Sequence, residues 1–452
     1  MLKKLALALP VALAATTFQP QEADACGGCF VPPEENTVVT GHRMILSVGM
    51  TQSTLYDQIE YAGEPEDFGW VLPIVGTVDI GVSSDLIFNQ LGFDSSVEVR
   101  KPIQECPEIY CDWEDDASFG AGTSGAGGAG GVDENGGVEV LAEETVGPYE
   151  TVQLQADDPN ALNLWLAENG YNVPTDVQPV IDAYVGDGFN FLAMKLAPGA
   201  GIDRMAPVRI TTEGSNAVLP LRMVAAGTGA TTTITLWLLG EGRYEPSNFP
   251  SFTIDPEHVV WNYDTSESNY ADLRQSAYDA SQGFGWLVES STSYSVDAFR
   301  NNVLNVVSFA PDQSGYDDGT GDWEAIEAAA MEDLDVLFGG LDPASVHLTR
   351  VRAELSREAL GTDLLVGAAD DQSDVSRIIQ TEQFEGTQPA CPSPPPGCWY
   401  YDDTLNEGNG SDEGDQSGSC NVTSPPAPTG TAFGGIALVG LGIAMMRRRR
   451  RR

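Results

Sequence analysis

The sequence predicts a β-rich α+β fold, with sandwich-like antiparallel sheets and a few attached helices. Short runs of β-branched and aromatic residues, closed off by Gly, Pro or Asp, recur along most of the chain. Helical periodicity with capping residues appears in only a few places. In chain order, strand signals fall at 37–48, 55–61, 68–74 and 138–142. A helix follows: Asp158 suits an N-cap, Pro159 the first helical position, Leu162, Trp165 and Leu166 form an apolar stripe, and Gly170 marks the stop. Strand signals resume at 189–196, 208–212, 218–224 and 231–239. Tyr270–Ala280 reads as a helix, and so does 323–338, where Ile326, Ala330, Leu334, Leu337 and Phe338 share one side. A strand at 346–352 follows.

One internal echo stands out. Phe68-Gly69-Trp70-Val71-Leu72 resembles Phe284-Gly285-Trp286-Leu287-Val288, which fits two buried strands where Gly permits close approach. Both tryptophans read as core anchors, and a duplicated half is the further possibility the echo raises.

Composition limits the partners. The chain carries 22 Lys+Arg against 67 Asp+Glu, a formal net charge of −45. Eight of the 22 basic residues sit in the two termini; between them lysine occurs only at Lys101 and Lys195. Such a surface repels nucleic acid and anionic lipid and attracts divalent cations. From Gly120 to Gly137, half of the residues are glycine, which reads as a flexible insertion over 116–137. A Pro/Gly/Asp-rich stretch at 381–419 reads as a solvated stalk.

Both termini carry trafficking features. Lys3 and Lys4, an apolar run from Leu5 to Ala15 and Ala23-Asp24-Ala25 form a signal peptide over 1–25, with cleavage after Ala25 and ahead of Cys26. At the other end, Cys420, a Pro/Ser/Thr-rich spacer, an apolar run at 431–446 and six arginines, Arg447–Arg452, follow in order. Those arginines stay cytoplasmic while the run enters the membrane. Its length falls short of the ~20 residues of a relaxed spanning helix, which suggests a transient stop-transfer segment. The expected history is export, initial anchoring in the inner membrane, and delivery to the outer surface of the envelope after C-terminal processing. The globular part spans 26–380.

Seven cysteines form three close pairs and one remainder, Cys420. In an oxidising compartment the simplest expectation is local pairing, Cys106 with Cys111 and Cys391 with Cys398, with Cys26 and Cys29 less secure because their ring is tight. Cys420 is the expected processing or attachment residue.

The tail resembles the MYXO-CTERM sorting domain, on Cys420, the spacer, the apolar run and the arginine cluster. That resemblance implies cleavage at the cysteine by a sorting protease and transfer to the cell surface. A second resemblance covers the body. Ala25-Cys26-Gly27-Gly28, Tyr61-Ala62-Gly63, Glu66-Asp67-Phe68-Gly69-Trp70-Val71-Leu72-Pro73, Phe189-Asn190-Phe191-Leu192, Val218-Leu219-Pro220-Leu221-Arg222-Met223, Gly242-Arg243-Tyr244 and Leu348-Thr349-Arg350-Val351-Arg352 look like the domain of unknown function 2330 family. It implies an exported bacterial envelope protein and no particular chemistry.

Catalytic signatures are sparse. The three histidines, His42, His258 and His347, stand apart from one another, with no metal-ligand spacing, nucleophile elbow, P-loop or dinucleotide fingerprint. Asp312, Ser314, Asp317, Asp318, Asp322 and Glu324 crowd one Gly-rich loop. Solvated carboxylates are the favoured account there; calcium is the alternative and the only cofactor suggested. Arg222 and Arg243 are expected to partner carboxylates. The leading functional expectation is a non-enzymatic surface protein with a structural or interaction role. A secreted hydrolase with carboxylates assembled only in three dimensions is the alternative, and a calcium-binding surface protein a second. Export machinery and a sorting protease are the expected partners.

Overall fold

The computed structural model describes residues 29–30, 38–62, 69–106, 109–111, 139–171, 177–197, 205–225, 231–317, 319–394 and 398–400. The expected signal peptide at 1–25, Cys26, the expected insertion at 116–137, Asp318, Cys420 and the apolar run at 431–446 lie outside them. No helix among the described residues is long and apolar enough to cross a membrane. The chain divides into two units, residues 1–106 with 114–392, and residues 107–113 with 393–452.

The larger unit is built on two sheets. The strands of these two sheets in chain order are β1 (Cys29–Phe30), β2 (Val38–Val48), β3 (Gln52–Ala62), β4 (Gly69–Ile74), β5 (Asp79–Val82), β6 (Glu139–Val146) and β7 (Tyr149–Gln155). They continue with β8 (Asn190–Leu196), β9 (Val208–Glu213), β10 (Thr231–Glu241), β11 (Ser251–Phe252), β12 (Trp286–Ser293) and β13 (Val346–Ser356). An eight-stranded sheet runs β11-β12-β13-β10-β2-β3-β9-β5, and a five-stranded sheet runs β1-β4-β8-β7-β6. Neighbours are mostly antiparallel; β10 with β2 and β11 with β12 are parallel.

Side-chain alternation sorts these strands into layers. On one face of the large sheet, Ile45, Tyr56, Trp237, Leu239 and Leu348 pack under helices α1 (Asp85–Ser95), α6 (Val296–Phe309) and α7 (Trp323–Leu337). On the other face, Val208 and Ile210 meet Trp70, Leu72, Leu192 and Met194 of the five-stranded sheet. The far face of that sheet, Val71, Phe191 and Ala193, is covered by α2 (Pro159–Glu168) and α3 (Gln178–Gly186) through Leu162, Leu166, Ile181 and Tyr184. The unit is therefore layered helix, sheet, sheet, helix, each fully buried Leu or Ile contributing about 1.5–3 kcal/mol. A shorter helix, α4 (Leu221–Ala225), extends the core beside Met44 and Leu46, and α5 (Tyr270–Ala280) buries Tyr278.

The local expectations hold at most elements. Asp158 caps α2 by accepting from the Asn160 N–H, and Gly170 takes φ +87° past its end. The expected stripe on α7 is buried. Trp70 and Trp286 are both core anchors, in β4 and β12; these strands belong to different sheets with different neighbours. The expected strand at 218–224 is corrected: only Val218–Leu219 is extended, and α4 starts after Pro220. Proline has no N–H for a ladder, and its φ suits entry to a helix. The first residues assigned to the stalk belong to the larger unit, where Gln383–Glu385 pairs in parallel with Val260–Asn262.

The disulfide expectation is overturned. Cys106 bonds Cys391, with S–S 2.17 Å, Cα–Cα 5.7 Å and a sequence separation of 285. Loop closure favours near neighbours in an unfolded chain, but the fold had already brought these distant segments together. Glu98–Arg100 pairs in parallel with Ile378–Gln380, and Gln104 Nε2 donates to the Pro389 carbonyl at 2.7 Å. Local pairing of Cys106 with Cys111, or of Cys391 with Cys398, is thereby excluded. Cys111 and Cys398 stand in the smaller unit, where Ile109–Cys111 pairs antiparallel with Cys398–Tyr400.

Candidate functional site

A gap in the sheet edge positions the candidate site. Strand β9 begins at Val208, opposite Asp57, whereas β3 runs on to Ala62 paired with β2. In the notch sits a cavity of about 150 Å³, lined among others by Asp57, Gln58, Asp85, Trp70, Tyr149 and Met194. Its walls come from both sheets and from the first turn of α1. Tyr149 is held rigid, its hydroxyl donating to the Ala206 carbonyl at 2.7 Å and accepting from the Ala206 N–H at 3.1 Å.

Asp57 occupies a position that alternation would give to an apolar residue. Its cross-strand partner is Met44, and Leu55 precedes it on the same face. The carboxylate is buried and faces His42, whose Nδ1 lies 3.4 Å from Asp57 Oδ1. His42 is also buried, and its Nε2 has no hydrogen-bond partner. A second cavity of about 10 Å³ adjoins that imidazole, with Asp57 and Trp70 lining it as well. It has room for about one water. His42 is thus sealed in, while Asp57 also reaches the larger cavity. A third cavity of about 40 Å³ continues the seam between Leu55, Leu72, Ile210 and Pro220.

Asp85 supplies the second carboxylate of the larger cavity. Burial pushes its carboxyl above the ordinary range, opposed by the Arg43 charge and by Gln58, whose amide donates to Asp85 Oδ1. An acid with a raised proton affinity that shares a cavity with a second carboxylate can release its proton when a cation arrives, or lend it to a bound oxygen.

A second polar group gathers Ser291, His347, Thr349 and Asp374. His347 Nε2 lies 3.0 Å from Ser291 Oγ and 3.8 Å from Asp374 Oδ1, and Ser291 Oγ lies 2.7 Å from Thr349 Oγ1. A serine–histidine–acid relay needs the acid on the imidazole nitrogen that faces away from the serine. Here one nitrogen faces both, and Ser291 is completely buried. Burial lowers the His347 pKa, against Asp374, with Arg243 adding to the fall. These residues hold β12 to β13 and to Val375.

A third group surrounds Asp333, a fully buried carboxylate on α7. Ser83 Oγ and Tyr316 Oη donate to its Oδ2 at 2.6 and 2.7 Å, and Arg209 Nη1 donates to Oδ1 at 3.1 Å. Tyr56 donates to the Asp333 carbonyl at 3.1 Å. Every neighbour is engaged within the protein, so the group ties α7 to the large sheet.

The acidic loop is used differently. Asp317 Oδ1 accepts the N–H groups of Gly319 and Gly321 at 2.9 and 3.0 Å, and Asp322 caps α7. Asp312 and Glu324 stand in first helical turns, and Ser314 Oγ donates to the Pro311 carbonyl. Among the described residues no group of three or more His, Cys, Asp or Glu is placed to hold a metal ion. Arg222 meets Asp363 at 2.8 Å and Asp187 at 2.8 Å, and Arg243 meets Glu245, as expected of basic residues in this chain. His258 is exposed, 3.5 Å from Asp255.

None of the three polar groups was named from sequence. One signal was available: period-two alternation puts His42 on the face of Met44 and Leu46, and Asp57 on the face of Leu55.

The matched region includes every strand that lines the cavity. The chain belongs to the family of domain of unknown function 2330. The family model, described as an uncharacterized protein conserved in bacteria, matches residues 20–346. The domain of unknown function 2330 match thus ends at the first residue of β13, so the Leu348–Arg352 part of the resemblance lies beyond it. No curated protein and no solved structure matches the chain.

Proposed function

We propose that this chain is an exported protein held at the cell envelope by its C-terminal segment, and that its larger unit binds a small organic cation between the sheets. The trafficking half rests on the signal peptide before Cys26 and on the MYXO-CTERM-like order of Cys420, apolar run and arginines. Cys420→Ala is expected to keep its arginine tail and remain in the inner membrane with a folded ectodomain. Intact mass and membrane fractionation read this, and a variant trimmed and delivered like the parent would remove the sorting role.

The binding half is carried by the cavity of about 150 Å³ with Asp57 and Asp85 on its wall beside Trp70 and Tyr149. A cavity near that volume holds a benzene-sized ligand. Two carboxylates and two aromatic side chains on the lining favour a cationic one. Thermal unfolding of the ectodomain with tetramethylammonium or guanidinium tests this against sodium chloride and tert-butanol. A ligand at 100 times its Kd stabilises by about 2.7 kcal/mol. The upward shift is expected to vanish in Asp57→Asn/Asp85→Asn. No shift beyond the sodium control, or equal shifts with tert-butanol, would refute it.

The hydrolase reading is favoured by one observation, the raised proton affinity of Asp85 in a cavity that Asp57 also lines. Ester or glycoside turnover by the purified ectodomain, lost in Asp85→Asn, would replace binding with catalysis.

A further inference from the structure

We infer that Cys111 and Cys398 form a second disulfide, so that two crosslinks join the segment at 106–111 to the segment at 391–398. Three observations converge on this pair. Cys106 is bonded to Cys391, which removes the local partner of each of the other two cysteines. The strand register sets Cys111 directly opposite Cys398. Directly opposed residues of an antiparallel pair have Cα atoms about 4.5–5.5 Å apart, within the ~4.4–6.8 Å that a disulfide spans. The ladder itself, Ile109–Cys111 with Cys398–Tyr400, is two strands of three residues each. A lone two-stranded ladder is marginal in water, and small units with little core are commonly stapled by disulfides.

The chemistry is thiol–disulfide exchange. Each thiol loses its proton, one S–S bond forms, and the two electrons pass to a disulfide-bearing oxidant of the exported compartment, which leaves as a dithiol. The inference therefore rests on the export reading proposed above. Its consequence is mechanical. In an anchored protein, tension on the C-terminal segment reaches Cys398 before it reaches the Cys106–Cys391 bond. The second crosslink keeps the short ladder from being peeled open.

Peptide mapping needs care, because no Lys or Arg lies between Cys106 and Cys111, or between Cys391 and Cys398. Trypsin leaves both bridges in one linked pair of peptides. The experiment uses full-length protein exported to an oxidising compartment, alkylated without reduction. Stepwise partial reduction and differential alkylation then separate the bonds. The expected result is two linkages, Cys106–Cys391 and Cys111–Cys398. Cys111→Ser should expose one newly alkylated thiol, at Cys398, and Cys398→Ser one at Cys111. In Cys106→Ser/Cys391→Ser the same two peptides should stay linked. Free Cys111 and Cys398 in a parent whose Cys106–Cys391 bond is intact would overturn the inference and leave the export reading standing. Linkage of Cys111 to Cys26, Cys29 or Cys420 would overturn it equally. All four thiols free in protein recovered from the cytoplasm would instead defeat the export reading, and with it the oxidant this bond requires. The parent map alone decides the matter if a variant fails to fold.

Discussion

Asp333→Ala is expected to cost about 3–5 kcal/mol of folding stability, the penalty for removing one partner of a buried ion pair. The carboxylate is completely buried, and Arg209, itself buried, donates to it at 3.1 Å. Burial pushes the Asp333 carboxyl up, while Arg209 and the hydroxyls of Ser83 and Tyr316 pull it down. Alanine would leave a guanidinium and two hydroxyls facing a hole. Arg209 packs closely on Gly81, where an added Cβ would lie 2.2 Å from Arg209 Nε. Glu332→Ala is the matched control. It removes the other carboxylate on Arg209, but that group is half exposed, and a surface pair contributes only about 0–1 kcal/mol. Urea unfolding followed by circular dichroism measures both. A loss below about 1 kcal/mol for Asp333→Ala would mean that the group is not the tie between α7 and the large sheet argued above.

Trp237→Ala is expected to cost a similar amount, about 3–5 kcal/mol. The indole is 2% exposed at the centre of β10, and its Nε1 donates to Ser95 Oγ at 2.8 Å. Phe88 meets it edge-on at 6.0 Å, and the guanidinium groups of Arg43 and Arg350 lie 5.6 and 5.4 Å from its ring. Removing it opens a cavity between the large sheet and α1, leaves Arg350 without this aromatic surface and leaves Arg43 with Phe88 as the remaining ring. Trp237→Phe keeps most of the ring and loses the hydrogen bond, worth about 0.5–1.5 kcal/mol. Guanidinium denaturation should rank the phenylalanine variant well above the alanine one. Equal losses would show that the hydrogen bond to Ser95, and not packing, holds α1 in place.

Helices α2 and α7 were legible because their caps, Asp158 and Asp322, and their apolar stripes act within one or two turns. Helices α1, α3 and α6 were not, although Ser84 and Ser295 accept from N–H groups at the starts of α1 and α6. Valine at positions 296, 303, 306 and 307 blurs the helical signal of α6, since β-branched residues favour strands. Pro220 interrupts the apolar run at 218–224, and it is the residue that turns Val218–Leu219 into α4.

By itself the sequence determined the fold class, eight of the strands in the two main sheets, the acidic surface and the resemblance to domain of unknown function 2330. Each depends on composition or on neighbours a few residues apart. Tertiary structure alone decided that Cys106 bonds Cys391, that His42 faces Asp57, that Asp57 shares a cavity with Asp85, and that Arg209 reaches Asp333. Those meetings depend on strand order and register across two sheets. The pairing of β10 with β2 and the notch where β9 begins join segments far apart in the chain, and no local periodicity encodes which of them become neighbours.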